Sequence, residues 1–358
     1  MAMLFRSRLL VITVMTVIAF GSAVSSAQIS STQNQRRPRT VRPPASPSGN
    51  NVNTSAEPEP DVLKIDTDLV NTVFTAIDRD RHFITTLRST DLRIYENDVP
   101  QDISLFERET DRPLTLAILV DTSKSQERTL PDEKRAAKAF IRSVVRPEKD
   151  KVAVVSFTGR PRVEQQLTEN LARLNRAIDV LQVEFPANNP SCEEERPVHE
   201  DPLCWTSIWD AVSASASEVL IHGADNSRRA VILLSDGDDT SSTIKRQDAI
   251  DAAVRNNIAV YSIGIGDPEF YKVEKDSLRK LSDRTGGRAF FPHDDRELQA
   301  AFHQIQEELR SQYVVGYSPR NKIRDGSHRR IKMEIVNPEL RKQKLRLIYR
   351  DGYYAPKQ

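Results

Sequence analysis

LTLAILVDTSKS, residues 114–125, decides the fold. The run is apolar almost without interruption until it stops at Asp121 and gives way to hydroxyl-bearing residues. A strand that is apolar on both sides is buried on both faces, which is how strands read in a parallel sheet covered by two layers of helices. The pattern repeats outward in KVAVVSF (151–157), RAVILLSDG (229–237), AVYSIGIG (259–266) and the short RAFF (288–291). Between these runs lie stretches with helical spacing. PDEKRAAKAFIRSVV (131–145) places Ala137, Phe140, Ile141 and Val144 on one stripe. NLARLNRAIDVLQ, TSIWDAVSASASEVLI, IKRQDAIDAAVRNNI, DSLRKLSDRTGG and the long DDRELQAAFHQIQEELRSQ (294–312) follow. Gly286 and Gly287 stand where a helix C-cap belongs. Alternation of this kind predicts an α/β fold, a doubly wound and mainly parallel sheet with helices on both faces, over 113–311.

The flanks differ. LVNTVFTAID, FITTL, LRIYEN and DISLFERE in 61–112 are short alternating runs separated by turn residues. YVVGYSP, RRIKMEIV and KLRLIYRDGYY in 312–358 are similar, and no helical stretch is expected there. The two flanks are expected to pair in one smaller β module, with the α/β domain inserted between them. Residues 28–60 are rich in Pro, Ser, Asn, Gln and Arg and read as a disordered linker. Residues 1–27 have the form of a signal peptide. Arg6 and Arg8 precede the apolar run Leu9–Phe20, and Ser25 and Ala27 supply the small residues of a cleavage site. Export to the periplasm, the cell surface or the medium follows, and a membrane is involved only if that segment stays uncleaved. Behind such a peptide, Cys192 and Cys204 read as a disulfide closing SCEEERPVHEDPLCW.

The chain is 38% hydrophobic, enough for a packed core, and carries a net charge of +1 over 358 residues, which predicts no strong field for nucleic acid or membranes. There is no Walker A sequence and no G-x-S-x-G elbow, and Gly264 and Gly266 lack the third glycine of a dinucleotide site. Ligands of doubly wound sheets bind beyond the carboxyl ends of the strands. There the first loop offers Asp121, Ser123 and Ser125, the second Thr206 and the third Asp236. Two carboxylates and three hydroxyls suit a hard cation, Mg²⁺ first, with Mn²⁺ and Ca²⁺ as alternatives. Neutral hydroxyl ligands leave such an ion electropositive, able to take a carboxylate from another molecule.

The D-x-S-x-S loop after an apolar strand, a Thr opening T-x-x-x-D-A, and an Asp followed by Gly after a second apolar strand resemble the von Willebrand factor A domain. The exported bacterial proteins of this type are similar in their flanks too, here DRDRHFITTLRSTDLRIYEND (78–98) and RDGYYAP. The resemblance implies a metal-ion-dependent adhesion site at Asp121, Ser123, Ser125, Thr206 and Asp236, a protein ligand presenting Asp or Glu, no nucleotide and no catalysis. Cys204 and Trp205 depart from the glycines that many such domains place before the threonine. An assembly module with a degenerate site is the nearest alternative. A metal-dependent hydrolase using Asp121 is the enzymatic one, weakened because Ser123 stands where a second carboxylate would act. Asp238 and Asp239 are expected to face solvent or cap the next helix, and Trp209 to be core.

Overall fold

The computed structural model describes residues 69–108, 112–184, 206–224, 226–266 and 273–357, all within the compact unit Lys64–Gln358. The signal-peptide and linker expectations, the cysteine pair and Trp205 lie outside the described residues.

In chain order the strands are β1 (Val70–Ile77), β2 (Leu92–Glu96), β3 (Val99–Gln101), β4 (Ile103–Arg108), β5 (Leu114–Asp121), β6 (Lys151–Phe157) and β7 (Pro161–Thr168). They continue with β8 (Arg228–Ser235), β9 (Ile258–Gly264), β10 (Ala289–Phe290), β11 (Tyr313–Tyr317), β12 (His328–Ile335), β13 (Arg346–Tyr349) and β14 (Gly352–Tyr354). The helices are α1 (Leu130–Val144), α2 (Leu171–Asp179), α3 (Ile208–Ala214), α4 (Arg246–Arg255), α5 (Lys275–Thr285), α6 (Asp295–Arg310) and α7 (Pro338–Lys342).

The central sheet has the order β10-β9-β8-β5-β6-β7. Its strands pair in parallel except β7, which runs antiparallel along the edge of β6. β5 sits in the middle and is buried at every residue. Alternate side chains serve opposite faces, as the pleat requires. Leu116, Ile118 and Val120 pack under α1, α2 and α6, while Ala117 and Leu119 pack under α3, α4 and α5. Burying each large aliphatic side chain here contributes about 1.5–3 kcal/mol. The fold is therefore the doubly wound sheet expected from the sequence, and Trp209 is core.

The flanks form two four-stranded antiparallel sheets, β13-β1-β11-β4 and β14-β12-β2-β3. Each mixes strands from before and after the α/β domain. β1 pairs with β11 and β13, and β2 pairs with β12. Phe74, Ile94, Tyr313, Val315, Tyr317 and Ile331 fill the space between them. The buried Glu96 carboxylate accepts from Tyr317 (3.0 Å), Tyr353 (2.8 Å) and Arg329 (3.3 Å), so a polar group of the first flank is satisfied by the second.

Two expectations for the flanks need correction. FITTL forms no strand; only Phe83 makes a single bridge, to Ile77. The C-terminal flank does contain a helix, α7, where Asn337 accepts from the Glu339 N–H (3.0 Å) and Pro338 starts the first turn. Asn followed by Pro is a helix-start signal in its own right.

Candidate metal centre

Three chain crossings meet at the carboxyl end of the central sheet. β5 leads α1 to one face, whereas α3 crosses on the other face before β8, so the loops diverge there, at the position where such sheets bind ligands. Asp121 ends β5, and Asp236 follows the last residue of the adjacent β8. Thr206 lies just before α3.

Asp121 is fully buried, and both carboxylate oxygens are occupied: Oδ1 accepts from the Ser123 N–H (2.9 Å), Oδ2 from the Ser235 hydroxyl (2.7 Å). The Ser123 and Ser125 hydroxyls lie 3.0 Å apart. Asp236, Ser123 and Thr206 are buried and Ser125 half-buried. Burial, reinforced by the charge of Asp236, holds the Asp121 carboxyl well above the usual carboxylate range. Burial likewise raises Asp236, opposed by a hydrogen bond from Ser125.

The loops are tied to one another. The Thr122 hydroxyl meets that of Thr158 at 2.8 Å, and the Ser207 hydroxyl donates to the Thr158 carbonyl (2.9 Å). Thr206 donates its N–H to the Thr240 hydroxyl (2.8 Å), and its carbonyl accepts from the N–H groups of Thr240 and Ser241. The Asp239 carboxylate accepts from the N–H groups of Ile208 (2.7 Å) and Trp209 (3.3 Å). Asp239 thus caps α3, the preceding helix rather than the following one. The segment carrying Asp236 consequently fixes the one carrying Thr206.

Sequence reasoning missed the shell beneath. Gln126 is fully buried, and its amide is satisfied when its nitrogen donates to Thr129 (2.8 Å) and Glu133 (3.0 Å) and its oxygen accepts from the Asp236 N–H (3.3 Å). Glu133 Oε2 has no partner among the described residues. Burial, together with the charges of Asp121 and Asp236, pushes the Glu133 carboxyl up to about 8, so it is neutral at pH 7. Its signal was readable, since Glu133 occupies the same stripe as Ala136, Ala137 and Phe140, where a carboxylate is out of place.

The donor set fits a divalent cation. All the converging side chains offer oxygen, the choice of hard ions. Two buried carboxylates repel each other until a cation reverses the balance. A second group, Asp78, Asp80 and His82, brings ligand atoms within 4.8 Å of one another. It lies in a partly exposed turn, where Asp78 already accepts from the backbone N–H of His82 (2.9 Å).

A doubly wound sheet that gathers loops at its carboxyl edge is an α/β ligand-binding architecture. Residues 116–238 match one family model for the von Willebrand factor type A domain, and residues 205–307 match another. Together they span more than half of the chain, which belongs to the von Willebrand factor type A domain proteins. Such domains are protein-interaction modules and are generally non-enzymatic.

Among solved structures, the chain resembles a von Willebrand factor type A protein from Catenulispora acidiphila at 16% identity, covering 76% of each chain, with a TM-score of 0.45. It resembles the conserved hypothetical protein BatB from Bacteroides thetaiotaomicron at 16% identity, over 55% of this chain and 98% of that one, with a TM-score of 0.42. Proximal thread matrix protein 1 from the mussel byssus, with a zinc-occupied metal-ion-dependent adhesion motif, is similar at 17% identity over 60% of this chain and 50% of that one, with a TM-score of 0.46. No curated protein matches.

Proposed function

We propose that the chain is an exported binding protein that captures a protein ligand at the carboxyl edge of its central sheet. Asp121, Ser123, Ser125, Thr206 and Asp236 hold a divalent cation there, and the protein has no catalytic role. The bound cation supplies an electropositive centre that an Asp or Glu of the partner completes. The observation that carries this reading is the pairing of two buried, mutually repelling carboxylates with hydroxyls from separate loops.

The chain's own residues set the rest. Ser235 and the Ser123 N–H orient Asp121 by hydrogen bonds to both its oxygens. Gln126 ties Asp236 to α1. In the metal-free protein, burial holds the Glu133 carboxyl well above the usual carboxylate range, so it adds little negative charge under the site before a cation binds. Asp239 braces the start of α3, so Thr206 is delivered by a rigid element. Mg²⁺ is the preferred ion, with Mn²⁺ and Ca²⁺ as alternatives, on the all-oxygen donor set.

The reading is tested by peptide display on the chain from Gln28 onward, selected with Mg²⁺ and in its absence. Acid-bearing peptides should be enriched only with the ion and only by a chain that retains Ser123. Enrichment that ignores both Mg²⁺ and Ser123→Ala would overturn the reading.

A further inference from the structure

The opposite end of the central sheet holds a cavity of about 720 Å³ between the amino ends of β5, β8 and β9 and the flanking sheets. It lies at the other end of β5 from the metal centre, about 23 Å away at roughly 3.3 Å per residue. Nine Lys and Arg side chains line it, Arg329 among them already paired with the buried Glu96 at 3.3 Å, and no described Asp or Glu lines it. In a chain with a net charge of +1 this is strong segregation of charge.

Arg350 is the central member. It is 9% exposed, and no ion pair among the described residues includes it. Its Nη atoms donate to neutral oxygens only, the carbonyls of Val254 (3.4 Å) and Asn71 (2.7 Å) and the side chain of Asn257, and its Nε has no partner. Burial pulls this guanidinium down to about 10. Arg229 also lines the cavity and is half-buried there. Arg255 lies over the Tyr354 ring at 3.6 Å, again without an ion pair among the described residues. A buried cation without a counter-charge is costly. Leu69, Val73 and Ile323, three of the exposed large apolar residues, line the same cavity and offer contact for an organic body. The volume is that of a small-molecule site, and such sites favour the seams between modules.

We infer that this cavity binds a small oxyanion carrying at least two negative charges, a phosphate- or carboxylate-bearing molecule, between Arg229, Arg255 and Arg350. Guanidinium groups pair with such oxyanions through short, charge-assisted hydrogen bonds. Arg350 follows β13, and Asn257 and Val254 close α4, so the anion bridges the flanking sheets and the α/β domain.

The test is calorimetric titration of inorganic pyrophosphate into the chain from Gln28 onward, in cation-stripped buffer. Saturable binding with one site is expected. It should weaken by about tenfold or more in the Arg229→Gln, Arg255→Gln double variant, where charge-assisted contacts are lost, and persist in Asp121→Ala. Both substituted side chains are partly or fully exposed, so the fold should survive, which circular dichroism checks. No saturable binding by the wild type would overturn the inference. So would affinity in the folded double variant within about twofold of wild type.

Discussion

Asp121→Asn should make the metal-free protein more stable and the metal-loaded protein less so. In the wild type, burial and the neighbouring Asp236 push the Asp121 carboxyl from 3.8 up to about 7. A carboxyl that holds its proton more tightly when folded stabilises fully below its unfolded value, and that stability is lost as pH rises towards its folded value. About three pH units at roughly 1.4 kcal/mol each set a ceiling of about 4 kcal/mol. Asp236 shares the repulsion, so about 2 kcal/mol is the working figure. Asparagine keeps the volume. Its oxygen can accept from the Ser123 N–H, and its amide can donate to the Ser235 hydroxyl. Urea unfolding at pH 5 and pH 8 in cation-stripped buffer reads the effect. The wild type should lose roughly 1 kcal/mol more than the variant between these pH values, the rest of the figure already being lost below pH 5, which leaves the variant more stable at pH 8. Added Mg²⁺ should then stabilise the wild type alone, by linkage to binding. A variant no more stable than wild type at pH 8, with the same loss between pH 5 and pH 8, would refute the electrostatic reasoning.

Other substitutions probe the frame. Asp239→Ala removes the acceptor of two α3 N–H groups and should cost about 1–2 kcal/mol in thermal or urea unfolding, while weakening cation binding by loosening Thr206. Gly286→Ala places a methyl group 2.7 Å from the Arg350 backbone nitrogen at a residue with φ of 86°, so it should destabilise by about 1–3 kcal/mol; an unchanged midpoint would show that α5 and the β13–β14 turn can part. Arg288→Met strands the buried Glu308, which Arg288 meets at 3.1 Å. Burial already raises Glu308, so without its cation it should take up a proton, and the loss, about 3–5 kcal/mol at pH 8, should be smaller at pH 5.

What could be read from the sequence is what periodicity records. β5 and β8 are apolar on both faces, and α1 to α6 carry apolar stripes, so the layers followed directly. Asp121, Ser123, Ser125, Thr206 and Asp236 could be placed at one end of the sheet because each lies at the junction of a strand or helix with a loop. β7 escaped notice because PRVEQQLT is polar and largely solvated on an edge, leaving no alternation to detect. The Ser235, Gln126 and Glu133 partnerships depend on which polar groups meet in the core, and a polar letter does not name its partner. The basic cavity was hidden by arithmetic, since 52 basic and 51 acidic residues sum to near zero wherever the fold puts them.

The most direct measurement is calorimetric titration of the chain from Gln28 onward with Mg²⁺, Mn²⁺ and Ca²⁺, beside Asp121→Ala and Ser123→Ala. One saturable site in the wild type, lost in both variants, is the expected result. A folded wild type that binds none of the three ions, or variants that bind as well as the wild type, would contradict the assignment of the centre.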